Sequence, residues 1–145
     1  MKNILTSLII FLAILSPVLA VGQVDIISLP SITANPGDTA TFEINVANTA
    51  AGTTIPTVSF ASSNLAGSKG TITAPGITSI TNLISGTPQV RQFTLNVPFT
   101  YAGTYTATLT ASEAGNTANK DTMAYELTVN SVNSLDVLTV SETTA

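Results

Sequence analysis

Apolar and polar residues alternate one by one along most of this chain, and that period of two constrains the fold more than anything else in the sequence. In "TATFEINVAN", Ala40, Phe42, Ile44 and Val46 fall on one face and Thr41, Glu43 and Asn45 on the other. "PTVSF" sets Val58 and Phe60 against Thr57 and Ser59, and "RQFTLNVPF" points Phe93, Leu95 and Val97 one way. "TYTATLTA" carries Tyr105, Ala107 and Leu109 beneath a row of threonines; "MAYELTV" aligns Met123, Tyr125, Leu127 and Val129. Successive side chains of a strand point to opposite faces, so each segment has one dry and one wet face. That is the signature of antiparallel sheets packed face to face. Beyond the first twenty residues, no stretch keeps a helical 3.6-residue period over a useful length.

Turn-forming residues separate these runs: "NPGD" at 35–38, "APG" at 74–76, "SGTP" at 85–88 and "EAGN" at 113–116. Gly, Pro and Asn supply the backbone angles that a reversal needs. The pattern predicts strands over residues 24–32, 39–48, 56–62, 70–73, 77–84, 90–98, 103–112 and 121–130. Seven to eight short strands at this spacing predict an all-β antiparallel sandwich.

The start of the chain reads differently. Lys2 precedes an apolar run over residues 4–15, Ser16-Pro17 breaks it, and Val18 and Ala20 stand three and one residues before a cleavage point. Residues 1–20 therefore read as a secretory signal peptide. The alternative is a retained anchor helix, for which the run is short against the roughly twenty residues a span requires. Residues 21–130 are expected to form the sandwich and residues 131–145 a strand-like tail. No second long apolar run follows, so no membrane span is expected in the mature chain. Without the leader, Lys69, Arg91 and Lys120 face eight carboxylates, a net charge of −5. Such a surface offers no cationic patch to nucleic acid. Its Thr, Ser, Asn and Ala, with little charge to keep copies apart, suit self-association.

Cysteine and histidine are both absent. Disulfides cannot staple the fold, and the commonest bases, nucleophiles and transition-metal ligands are missing. Glu43 and Glu126 fall on outward faces, while Asp38, Glu113 and Asp121 fall at turns or strand edges, so paired acid–base carboxylates are not expected. No Asp-x-Asp calcium loop occurs. No cofactor or metal is expected, and no catalytic residue set presents itself. Trp is absent, and Tyr101 is the one aromatic residue placed as an exposed platform.

"YAGTYTATLTA" (residues 101–111), together with "ANPGDTATFEINVANT" (34–49), resembles immunoglobulin-like modules of prokaryotic cell surfaces, of the S-layer and adhesin type. The resemblance covers most of residues 25–130. It implies an immunoglobulin-like β-sandwich in which Tyr105 anchors a structural corner and Gly103 allows a tight approach. Ala107 stands where antibody domains carry a Cys, so the disulfide-bonded variant is not implied.

The tail poses the functional question. "LDVLTV" (135–140) repeats the pattern of "VDIISL" (24–29): apolar, Asp, two apolar residues, hydroxyl, apolar. Three readings stand: the first strand of a further repeat, a disordered end, or a strand that pairs with a neighbouring subunit. Leu135 and Val137 face one way and Leu138 and Val140 the other. Val24 and Ile26 likewise oppose Ile27 and Leu29. A strand apolar on both faces is a hazard at a free edge and suits burial between sheets or subunits. These eight residues are the candidate assembly strands. The function expected is a secreted, non-catalytic structural protein, forming a filament or surface layer with copies of itself or with other cell-surface proteins. The alternative is a monomeric adhesion or carbohydrate-binding module using loops 50–55 and 62–69 and Tyr101.

Overall fold

A computed structural model describes residues 21–99 and 102–131. The proposed leader, Tyr101 and the tail residues Leu135, Val137, Leu138 and Val140 lie outside the described residues. The described chain forms ten strands and no helix: β1 Val24–Ser28, β2 Ile32–Ala34, β3 Thr39–Asn48, β4 Thr54–Ser62, β5 Leu65–Gly67, β6 Gly70–Ile72, β7 Ile80–Ile84, β8 Gln89–Asn96, β9 Gly103–Glu113 and β10 Asn116–Val129. One sheet has the order β1-β3-β8. The other runs β2-β10-β9-β4-β7, with β5 on β9 and β6 on β5. All pairings are antiparallel except β2 with β10.

The alternating residues meet between the sheets. Phe42, Ile44 and Val46 from β3 and Phe93 and Leu95 from β8 face Tyr105, Leu109, Tyr125 and Leu127 from β9 and β10. Phe42 stacks on Phe93, its cross-strand partner, with ring centroids 5.0 Å apart, and Tyr125 meets both rings edge-on at 5.0 and 5.8 Å. This aromatic group ties one sheet to the other, in arrangements that aromatic quadrupoles favour.

The expected strand over residues 24–32 is two strands. Pro30 lacks an N–H and cannot continue a ladder. The chain leaves β3 after Ser28, crosses the side of the sandwich, and joins β10 as the parallel strand β2. Residues 77–79 are not strand; β7 begins at Ile80. β5 was not foreseen: Ser63-Asn64 interrupts one long path, after which Ala66 and Gly67 resume pairing with Thr106 and Tyr105 of β9. β10 begins five residues earlier than the 121–130 reading. The register slips between Asn116 and Lys120, so that the residues after the turn bulge out of the ladder.

Candidate assembly edges

Val24, Ile26 and Leu29 are buried in the chain's own core, at 3, 2 and 7 % exposure, while Ile27 is 47 % exposed. A bulge accounts for this: Ile26 opposes Val46 and Ser28 opposes Asn45, leaving Ile27 as the extra residue. The bulge moves Leu29 to the inward side. The two-sided pattern of this segment is thereby resolved within one molecule.

The outer edge of β1 is also occupied. The Val24 N–H donates to Asn119 Oδ1 at 2.9 Å and the Ile26 N–H to Asp121 Oδ2 at 2.9 Å. Asn119 Nδ2 donates to the Gly22 carbonyl at 2.6 Å and to Glu113 Oε2 at 2.9 Å, and Asn116 Nδ2 also donates to Glu113 Oε2. The bulge in β10 carries Asn119 to this position. Side chains of the opposite sheet therefore take the donors that an incoming strand would need. Asp121 and Glu113 serve as acceptors here.

The other side of the sandwich differs along its length. Near its start, β8 is bridged to the neighbouring chain: Gln89 Nε2 donates to the Asn82 carbonyl at 3.3 Å and Arg91 Nε to the Ser79 carbonyl at 3.4 Å. Toward its end, β8 has no such bridge among the described residues. There an open groove of about 460 Å³ separates Thr94, Leu95 and Asn96 from Thr71, Ile72 and Thr73, with Pro75 and Pro98 completing the lining. Among the described residues β8 pairs only with β3 and β6 only with β5. Two unextended strand edges flank this groove. Leu95 and Ile72, both buried members of the core, form part of its lining. No reading of the sequence singled out these residues, because the groove exists only where two segments distant in the chain stop short of one another.

Tyr105 is fully buried. The glycine pressed against it is Gly67: a Cβ there would lie 2.6 Å from Tyr105 Cδ1 and 2.7 Å from the Thr104 carbonyl oxygen. Gly103 serves otherwise than expected. A Cβ on it would come no closer than 3.9 Å to Lys69, and glycine is needed because φ is +141°. Asn48 is a second residue whose role was not foreseen. Its Oδ1 accepts from the N–H groups of Gln23 and Ala50, and its Nδ2 donates to the carbonyls of Thr53 and Leu83. It thus joins the approach to β1, the β3–β4 loop and β7 at one end of the sandwich. A signal was present, since Asn48 continues the buried phase of Ala40, Phe42, Ile44 and Val46.

The loops proposed for carbohydrate binding do not converge. Residues 50–53 follow the Asn48 end of β3, whereas the Gly67–Gly70 turn lies near Gly103, at the end where β9 starts and β10 finishes. Phe99 is 80 % exposed at that latter end, with its ring over Gly37. Of the other carboxylates, Asp38 accepts from the backbone and side chain of Asn35, and Glu43 accepts from Gln92. Among the described residues no three His, Cys, Asp or Glu gather as a metal-holding group.

Layer order, pairing and core define an all-β immunoglobulin-like sandwich. Solved structures share that fold. A CARDB domain of the PF1109 protein from Pyrococcus furiosus, solved with di-metal ions, matches at 19 % identity and a TM-score of 0.50, over 75 % of this chain and 87 % of that one. A family 123 glycoside hydrolase from Clostridium perfringens matches at 14 % identity and a TM-score of 0.52, over 79 % of this chain. The present chain spans only 28 % of that enzyme's length. No protein-family model matches the sequence, and no curated protein matches it.

Proposed function

We propose that this chain is a secreted, non-catalytic structural module of a cell surface that associates with copies of itself by β-strand pairing, building a filament or surface layer. The observation that carries this reading is the contrast between the two sides of the sandwich. The β1 edge is closed by Asn119 and Asp121, whereas the end of β8 faces β6 across an open groove. Evolved sheets commonly cover or charge an edge that must stay single. Here one edge is guarded and another is left bare.

Sedimentation and negative-stain microscopy of the chain from Val21 to Ala145 test the reading. The expected outcome is a species that grows with protein concentration and forms ordered polymers. A truncation after Ser131 is expected to stay folded, because the whole observed core lies before that point, and to remain monomeric. A single monomeric species at every concentration overturns the reading. One observation favours the adhesion alternative: Phe99 is exposed beside a turn. Glycan binding by a monomer, lost in Phe99→Ala, is the result that reading requires.

A further inference from the structure

We propose that segment 135–140 is a spare β1, and that it takes the place of β1 in a second copy of this chain. The inference rests on the self-association reading but concerns surfaces other than the β6–β8 groove.

The structure shows what the place of β1 demands. Val24 and Ile26 are buried, Ile27 is the bulged residue, and the bulge turns Leu29 inward as well. Asp25 and Ser28 lie on the outer side. The place therefore takes apolar residues at its first, third and sixth positions and polar ones at its second and fifth. Segment 135–140 meets that demand: Leu135, Val137 and Val140 fall on the inward positions, Asp136 and Thr139 on the outward ones, and Leu138 on the bulge. The two inward sets differ by one methylene. A regular strand edge suits the segment less well. Strict alternation buries Thr139 with Leu135 and Val137, or Asp136 with Leu138 and Val140, and an unpaired buried carboxylate is costly. The break in parity therefore selects the bulged place. It also fixes direction, because bulges belong to antiparallel pairs and are rare in parallel ones.

The hydrogen bonds of this place accept any occupant. Asn119 Oδ1 and Asp121 Oδ2 accept from the N–H groups of Val24 and Ile26, and the ladder to β3 uses main-chain groups. These partners block a strand added outside β1 but serve a strand that replaces it. A Cβ on Gly22 would overlap the Ile55 side chain. Asn133 therefore cannot retrace the path of Gly22, and the incoming strand enters the place at Leu135.

Donor and recipient are different molecules. β1 runs beside the start of β10 in the same direction, with Val24 at Asn119 and Ile26 at Asp121. Asn130 leaves from the other end of β10, its N–H held by the Ala34 carbonyl. Leu135 in the place of Val24 lies back along β10 by the eleven residues from Asn119 to Asn130, about 36 Å at the rise of a strand. The five steps from Asn130 to Leu135 span at most about 18 Å. The segment reaches half-way to its own β1 and can complete only a neighbour's, once that neighbour's edge strand has opened locally. Each copy then gives one strand and receives one, so the contact is head-to-tail and propagates.

The absence of native cysteine permits a direct test by disulfide trapping in the chain from Val21 to Ala145. Ala47 faces Asp25 across the ladder, and so faces Asp136 after exchange. Ala47→Cys protein is mixed with Asp136→Cys protein under mild oxidation, with Thr94→Cys replacing Ala47→Cys as the control at the groove. The expected result is a disulfide-linked pair of twice the monomer mass with Ala47→Cys and not with Thr94→Cys. Adding Val24→Asp to the recipient weakens its own β1 and is expected to raise the yield; adding Val137→Asp to the donor is expected to abolish it. Polymers that form without this cross-link, or that cross-link at Thr94→Cys instead, overturn the exchange and leave self-association standing. An Ala47→Cys/Asp136→Cys double variant that closes its disulfide within one chain, at monomer mass, overturns the second-copy assignment. Monomers with no cross-link overturn both. As an independent readout, Val24→Leu, Ile26→Val, Ile27→Leu, Ser28→Thr and Leu29→Val together give β1 the residues of the tail. The thermal midpoint is expected to fall by no more than about 10 °C, the cost of one lost methylene. A larger fall shows that the segment does not fit the place of β1.

Discussion

Asn48 is a polar side chain at 1 % exposure in a core otherwise made of hydrocarbon and aromatic rings. Its amide is used on both atoms, so an isosteric carboxylate cannot replace it: Asn48→Asp loses both donors to the Thr53 and Leu83 carbonyls. Leaving buried partners unmatched costs about 1–3 kcal/mol, and a fall of that size in urea stability is expected for Asn48→Asp and Asn48→Ala. Gly67 tests a different force. Its missing side chain is the space filled by the Tyr105 ring and the Thr104 carbonyl, and backbone does not yield as a flexible side chain does. Gly67→Ala is expected to lose about 1–3 kcal/mol through overpacking, read from the same unfolding curves. Tyr125 adds a pH dependence. Burial raises its phenol above the ordinary value of 10.0, opposed by its 2.7 Å hydrogen bond with Ser62. The neutral phenol is favoured in the fold, so this contribution is complete below pH 10.0, the ordinary value, and is lost as pH rises through the raised folded value. Tyr125→Phe is expected to lessen the alkaline loss of stability in that window, measured by denaturant midpoints on either side of it.

At the scale of the element, β1 is held on two sides by different chemistry. One side is the ladder to β3; the other is a pair of side chains, Asn119 and Asp121, reaching from the opposite sheet. Asp121→Ala is expected to speed hydrogen exchange at the Ile26 amide, and Asn119→Ala at the Val24 amide. The amides of β9 and β10 keep their protection, because local openings are separable from global unfolding. Uniform acceleration across the sheets means that these contacts hold the whole body rather than one strand. The double variant also bares the β1 edge, and a shift toward larger species in sedimentation is expected from it. The Pro30 crossing explains why one apolar run became two strands: the proline forbids a continuous ladder, and the opposite sheet offers an edge where Ile32 and Ala34 pair in parallel with Leu127 and Val129.

For the whole molecule, cohesion comes from burial between two sheets with no covalent staple. Exposed Ile27, Ile84, Val90 and Phe99 are scattered over different strands and a loop. Scattered in this way they form no contiguous apolar patch. What distinguishes the surface is the backbone left uncovered between β6 and β8. Association through main-chain hydrogen bonds and apolar side chains depends little on charge, and the chain carries only four basic residues. Assembly is therefore expected to persist, measured by light scattering, when the ionic strength is raised well beyond the range in which salt screens surface charges. Disassembly by salt alone is the contrary result.

The sequence by itself determined where most of the strands lie and which faces they turn inward. A side chain's face in an extended chain follows from its parity, so Phe42, Phe93, Tyr105 and Leu127 were legible as core without knowledge of their neighbours. The sheet in which each strand lies was not legible, nor were the break after Ser28, the closing of the β1 edge by Asn119, and the gap between Ile72 and Leu95. Each of these depends on segments tens of residues apart being brought to hydrogen-bonding distance. A local alternation records which way a residue points but not what stands opposite it. Only tertiary packing decided which edges were covered, because an edge is defined by the strand that is missing beside it.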